Sequence, residues 1–275
     1  MSRKEILKIV KAARYLGVRK VRITGGEPLL RKDLTDICRD IRSIKEIREL
    51  CITTNGSMLK DSAEELKDAG VDRINISLDT TDTAMFRKIT GGSINSVFEG
   101  IEACYSAGYV RLSLNAVIMR SSCSPEDIGR LINFAKKNPI DLRFIELMPM
   151  QDNKELFEKE YLPYSEVMDS IGNVEYYGTT GTSITYKIPD SESTVGFIPA
   201  LSRPFCSECS RIRVTADGRL KPCLHDDTEY DLLQYKTVSE LKTAMRKMIY
   251  DKPYAHRLSE DGISDSRRSM VRIGG

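Results

Sequence analysis

Two spacings of apolar residues alternate along the first 150 positions. Residues 3–16 put Ile6, Ile9, Val10 and Ala13 on one helical face. Residues 18–24 then read as a strand that closes on Gly25-Gly26-Glu27-Pro28. Residues 33–44 return to the helical period, with Leu34, Ile37, Cys38 and Ile41 inward. A strand over 50–54 closes on Asn55-Gly56, and a helix over 60–69 ends at Gly70. The same alternation gives a strand over 73–78, a helix over 93–107 ending at Gly108, and a strand over 112–119. Ser124 then caps a helix with Pro125 at its first position, which ends near Asn138-Pro139. A strand over 142–147 completes the series.

Five strands, each preceded by a helix and recurring every ~25–35 residues, are the spacing of βαβ units. Crossover helices require parallel strands, so the sheet is a barrel or a doubly wound sheet. The series opens on a helix where a βα series opens on a strand. Beyond Met150 the pattern changes. Residues 151–160 are polar and read as a linker, and a short helix follows near 164–171. Segments 174–178, 183–188 and 194–198 are β-rich, punctuated by Gly, Thr and Pro. The expectation is therefore an α/β domain over 1–150 and a smaller α+β domain over 151–275.

Composition removes several function classes. With 40% hydrophobic and 30% charged residues, the chain is not a disordered segment. No run approaches the roughly 18 apolar residues of a membrane span, and the first residues show no secretory signal. The 42 basic and 40 acidic residues leave a net charge of +2, no footprint for nucleic acid. Two His exclude a mechanism built on several histidines. Seven Cys without a signal peptide point to reduced thiols or metal ligands in a reducing compartment, the cytoplasm.

The strongest chemical signal is Cys206-x2-Cys209-x13-Cys223. The first pair has metal-ligand spacing, and the turn Thr215-Ala216-Asp217-Gly218 folds the third Cys back toward it. Two sites suit three thiolates. One is a Cys3His zinc site completed by His225, and the other is an iron–sulfur cluster with one iron open. His225 lies only two residues after Cys223, and the zinc reading is the less favoured of the two. Arg211 and Arg213 sit beside this segment, suited to neutralise a cluster or bind an anion docked on it. Cys38, Cys51, Cys104 and Cys123 have no ligand spacing and read as core thiols. Gly25-Gly26-Glu27-Pro28 would let a ligand approach the backbone at the C-terminal end of its strand.

These motifs resemble one branch of the radical S-adenosylmethionine (SAM) enzymes. RITGGEPLLR (22–31) looks like that superfamily's second-strand motif. TTNG (53–56), ISLD (76–79), RFIELM (143–148), FCSECSRIRVTADGRLKPCL (205–224), KPYAH (252–256) and the terminal IGG (273–275) are similar to the GTP 3′,8-cyclase family, also called molybdenum cofactor biosynthesis protein A. The resemblance implies an incomplete (β/α)6 barrel, here without its first strand, followed by a cluster-bearing domain. It implies two [4Fe–4S] clusters, one that cleaves SAM and one that holds GTP. The reaction turns GTP into 3′,8-cyclo-7,8-dihydro-GTP, which a partner enzyme converts to precursor Z. By motif, Cys206, Cys209 and Cys223 would hold the GTP-side cluster. Arg22, Thr53, Arg211 and Arg213 would contact GTP, and Gly26, Ser77 and Met148 would contact SAM. The Gly274-Gly275 tail would reach the active site.

Two departures stand out. Ser113 occupies the position of a GTP-contacting Lys, for which Arg111 is a candidate substitute. The C-x3-C-x2-C motif of the SAM-cleaving cluster and the family's N-terminal GTP-contacting Arg are absent from these residues. The expectation is a truncated or mis-started cyclase, inactive as it stands, or a natural variant that has lost radical chemistry. A non-catalytic iron–sulfur guanine-nucleotide binder and a zinc-stabilised structural domain are the alternatives. Peptide-modifying radical SAM enzymes with extra clusters are a further reading, against which Arg-x-Arg and the terminal Gly-Gly argue.

Overall fold

The computed structural model describes residues 1–256 and 262–274. Its centre is an eight-stranded sheet. In chain order the strands are β1 (Lys20–Ile23), β2 (Glu49–Thr54), β3 (Arg73–Ser77), β4 (Leu112–Ile118), β5 (Ile140–Glu146), β6 (Glu175–Thr180), β7 (Ser183–Lys187) and β8 (Thr194–Ile198). In space they run β1-β2-β3-β4-β5-β8-β7-β6. The first six of that order pair in parallel, and β7 and β6 finish the sheet antiparallel. This is the open, partial-barrel order that the βα period implies.

The connecting helices are α1 (Arg3–Arg14), α2 (Leu34–Arg42), α3 (Leu59–Asp68), α4 (Thr83–Thr90), α5 (Ile94–Ser106) and α6 (Pro125–Lys137). Their starts follow the sequence. Ser124 and Asp127 form a reciprocal cap on α6, with Pro125 at its first position. Gly100 lets α5 close on α3, since a Cβ there would lie 2.7 Å from the Gly56 carbonyl oxygen.

The two faces of the parallel strands differ. Ile52, Ile74, Ile76, Leu114, Leu142, Phe144, Val195 and Phe197 are buried under the helices. The alternate positions are polar: Arg22, Thr53, Arg73, Asn75, Ser113, Asn115, Asp141 and Arg143. Parallel strands covered on both faces read as continuous apolar runs. A polar second face therefore marks a lumen.

Two expectations need revision. Residues 151–160 are not a linker: α7 (Lys154–Glu160) forms there, followed by α8 (Tyr164–Ile171). Its KELFEKE sequence is too polar to show an apolar stripe. The sheet also runs past residue 150, because β8 inserts beside β5 as a sixth parallel strand and brings the β6–β7 hairpin with it.

The remaining residues form a small antiparallel sheet, β9 (Arg213–Val214), β10 (Arg219–Lys221) and β11 (Tyr230–Asp231), with α9 (Val238–Tyr250) and α10 (Met270–Ile273). A second apolar cluster joins this part to the first helix: Ile9, Ala12 and Ala13 of α1 pack with Leu220, Leu232, Leu241 and Met245.

Candidate functional site

The loop after β1 is built around one carboxylate. Glu27 accepts the Leu29 amide at 3.0 Å, which starts a 3-10 turn at Pro28. It also accepts the Thr54 hydroxyl at 2.7 Å and the Asn55 amide at 2.7 Å. The Gly25-Gly26 loop is thereby tied to the end of β2. Asp79 plays the same part between β3 and β4, accepting the Val117 amide at 2.7 Å, and burial pushes its carboxyl up. Glu146, at the end of β5, accepts the amides of Tyr164, Leu201 and Ser202 at 2.9–3.0 Å. Ser77 ends β3 exposed, and Met148 follows β5 half-buried. Gly26, Ser77 and Met148 thus stand at or beyond the C-terminal ends of parallel strands, where α/β folds place ligands.

The C-terminal tail lies on this rim. Arg213 donates to the carbonyl oxygens of Gly274 at 2.6 Å and Ile273 at 3.1 Å. Gly274 has φ +79°, and a Cβ on it would meet Thr24 Cγ2 at 2.5 Å. Val271 Cγ1 is 3.7 Å from where a Gly26 Cβ would stand. Gly275 falls outside the described residues.

Below the rim the lumen is basic. Thr53 pairs in register with Asn75, Asn75 with Ser113, and Asn115 with Arg143. Arg143 donates to Asn75 Oδ1 at 3.1 Å. Burial lowers its pKa, and the nearby charges of Arg73 and Arg22 lower it further against the pull of Asp141. The hydroxyl of Thr53 and the Oδ1 of Asn115 are buried without a hydrogen-bond partner among the described residues. A cavity of about 180 Å³ opens beside Arg73, Arg111, Asp141, Arg143, Ser183 and Thr194. Arg111, the candidate substitute for the family Lys at Ser113, pairs with Asp141 at 2.7 Å and donates to the Glu192 carbonyl at 3.0 Å. Arg73 and Arg143 line the same cavity.

The three spaced cysteines share one segment. Cys206 opens a 3-10 turn, the Cys209 amide donates to the Cys206 carbonyl at 3.1 Å, and Cys223 follows β10. All three are half-buried free thiols, whereas Cys38, Cys51, Cys104 and Cys123 are buried. Burial pushes the Cys38 and Cys104 thiols up to about 12 and Cys51 to about 11. Burial also raises Cys209, but the Arg211 amide and the Lys252 ammonium outweigh it and hold that thiol below its usual value. The donor set suits an iron–sulfur cluster: three accessible thiols, one beside a cation. Among the described residues no three His, Cys, Asp or Glu side chains converge as a metal-ligand group. Cys206 and Cys209 share one turn, and Cys223 returns beyond the β9–β10 hairpin. His225 is buried, its Nδ1 3.2 Å from the Ser264 hydroxyl and its ring 4.9 Å from that of His256.

Arg22, Arg211 and Arg213 come together from opposite ends of the chain. Burial lowers Arg213 to about 10, and Arg211 and Arg22 add like-charge pressure. Arg211 reaches the Thr182 hydroxyl at 2.6 Å.

Comparison with known proteins fits this arrangement. Residues 1–135 match the radical SAM superfamily and residues 140–258 match the Molybdenum Cofactor Synthesis C family. A GTP 3′,8-cyclase of Clostridium botulinum is 40% identical over 279 residues, which cover the whole chain and 87% of the relative. The chain belongs to the GTP 3′,8-cyclase family. Another member, from Alkaliphilus metalliredigens, is 39% identical over 276 residues, 98% of this chain and 86% of that protein. Streptococcus suis SuiB bound to S-adenosylmethionine shares the fold, with a TM-score of 0.64 and 19% identity over 92% of this chain and 59% of its own. Membership places the chain in molybdenum cofactor biosynthesis, among enzymes that use SAM and an iron–sulfur cluster.

Glu27, Arg73, Glu146 and Lys252 carry no role in the sequence reading, although Glu27, Glu146 and Lys252 lie inside the quoted motifs. Arg73 announces itself only as the first of three polar residues that alternate with Ile74 and Ile76.

Proposed function

We propose that this chain binds GTP across the mouth of the lumen and serves its cyclisation to 3′,8-cyclo-7,8-dihydro-GTP. The observation that carries the reading is the convergence of Arg22, Arg211 and Arg213 beside three accessible thiols. Three guanidinium groups gathered at one mouth, with no carboxylate partner among the described residues, call for an anion, and a triphosphate supplies one. Arg22, Arg143 and Arg73 face the phosphates from the lumen, while Arg211 and Arg213 face the nucleotide from the cysteine segment. The Thr53 hydroxyl and Asn115 Oδ1 await polar groups of the ligand. Gly26, Ser77 and Met148 form the SAM side of the rim. Cys206, Cys209 and Cys223 would hold one [4Fe–4S] cluster, which would supply an iron site for the guanine ring. Arg213 keeps the Gly274 end of the tail over the site and so limits water access.

The 275 residues carry no C-x3-C-x2-C motif. Their one cysteine motif would load one cluster, and SAM cleavage would need the thiolates of the second cluster as well. The product passes to a separate enzyme that forms precursor Z. The setting is the cytoplasm; no helix among the described residues is long and apolar enough to cross a membrane.

Calorimetry with GTP tests the reading on the full chain after anaerobic reconstitution. Arg213→Ala is expected to weaken GTP binding by about 1.5–3 kcal/mol, the worth of a charged hydrogen bond. Equal affinity in parent and variant would remove Arg213 from the site. Iron and sulfide near one cluster per chain are expected, and roughly eight irons per chain would refute the single-cluster reading.

A further inference from the structure

Lys252 stands two residues beyond α9 and reaches back 43 positions to the cysteine segment. Its ammonium donates to the Cys209 carbonyl at 2.6 Å, the Arg211 carbonyl at 2.9 Å and Cys209 Sγ at 3.3 Å. An ammonium has three donors, and all three are used here. Two acceptors are carbonyls on either side of Ser210, so the contact clamps the backbone that carries Cys209. The third is the sulfur itself. Pro253 restricts Lys252 to an extended conformation, which favours the reach.

The neighbouring arginines do not share this task. Arg211 reaches the Thr182 hydroxyl and its guanidinium stands 5.8 Å from the Phe205 ring centroid. Arg213 is spent on the tail carbonyls. The roles that the sequence leaves pooled in Arg211 and Arg213 are thus divided. The arginines serve the nucleotide and the tail, and a lysine from a distant loop serves the sulfur.

We propose that Lys252 is a positioning residue that fixes the Cys209 sulfur as a ligand and sets the redox poise of the cluster it helps to hold. The inference rests on the reading of Cys209 as a cluster ligand. A positive charge in contact with a ligand sulfur stabilises the reduced, more negative cluster. Removing it favours the oxidised form. An arginine would keep the charge, but its planar fork cannot satisfy three acceptors arranged around one nitrogen.

Two measurements on the full chain test this, with K252M and K252R beside the parent. The first is amide hydrogen exchange of the metal-free protein. Peptides spanning 205–213 are expected to exchange several-fold faster in both variants, with the barrel peptides unchanged. The second is the reduction potential of the reconstituted cluster. K252M is expected to shift the redox equilibrium about tenfold toward the oxidised form, about 59 mV for a one-electron couple. K252R is expected to stay near the parent potential, and K252Q replaces K252M in both measures if K252M does not fold. Parent-like exchange in both variants would overturn the clamp, and a parent-like potential in K252M would overturn the redox role. If C209S loads the same cluster as the parent, the ligand reading falls and takes the redox role with it, while the exchange data still decide the clamp.

Discussion

The barrel strands and the cysteine segment are held by different means. In the sheet, position comes from burial: Phe144 and Phe197 stack at 5.7 Å, both wholly out of water, inside a cluster that spans the strands and helices from Val10 to Phe197. Around the cysteine segment and the tail, beyond the apolar cluster that joins this part to α1, position comes from single polar side chains that grip the backbone. Arg213 holds the tail, Lys252 holds Cys209 and Arg211, and Lys221, fully buried, donates to the Asp226 carbonyl at 2.6 Å. Arg268 braces the same region through Glu229 at 2.6 Å and Asp217 at 2.8 Å. Burial is collective, so the loss of one side chain is felt as stability. A clamp is individual, so its loss is felt first as misplacement. The chemistry sits where placement depends on individual contacts.

The contrast can be broken at its strong end. Phe144→Ala is expected to lower unfolding free energy by about 3–5 kcal/mol, read as a denaturant midpoint shift at unchanged slope. A loss below about 1 kcal/mol would show that the sheet is not held by its apolar face. A smaller effect tests the joints between strands. Burial raises the Asp79 carboxyl, so its contribution is fully present below the unfolded value of about 3.9 and is lost as pH rises through the folded one. Asp79→Asn keeps an acceptor for the Val117 amide and removes that loss. Its stability relative to the parent is expected to improve as pH rises from 4 to 7, and a pH-independent difference would contradict this. The smallest global effect belongs to the tail. Gly274→Ala forces a Cβ against Thr24 in a left-handed conformation. The tail is expected to leave its seat, with proteolytic cleavage near residue 270 several-fold faster and the midpoint moved by less than about 1 kcal/mol. A large midpoint shift would place the tail in the core instead.

Much of the barrel is legible because each element announces itself locally. Gly70 and Gly108 close helices, Ser124 opens one, and the five parallel strands up to residue 146 lie within two residues of their expected bounds. Helix α4, which buries only Phe86, goes unread, and the polar α7 reads as linker. Helix α9 also goes unread, although Thr237 caps it and Leu241, Met245 and Met248 recur at helical spacing. The insertion of β8 beside β5 is a long-range choice that no local pattern encodes. At the site, the cysteine spacing and Arg-x-Arg are visible because they are short-range. Arg143 and Asn75 meet across β4, 68 residues apart, and Lys252 meets Cys209 across 43. Such pairs become visible only once strand register and the return of α9 are known.

The strand order has a consequence for synthesis. A ribosome delivers β6 and β7 before β8, yet the hairpin reaches the sheet only through β8. While those residues emerge, β5 presents an unpaired parallel edge, and a lone two-stranded hairpin is marginal in water. Glu146 waits through the same interval, because two of its amide partners, Leu201 and Ser202, are 55 and 56 residues away. The nascent chain therefore passes through a stage in which its longest exposed edge and an unsatisfied carboxylate stand side by side. Translation through codons 147–202 is the window in which a chaperone has most to cover.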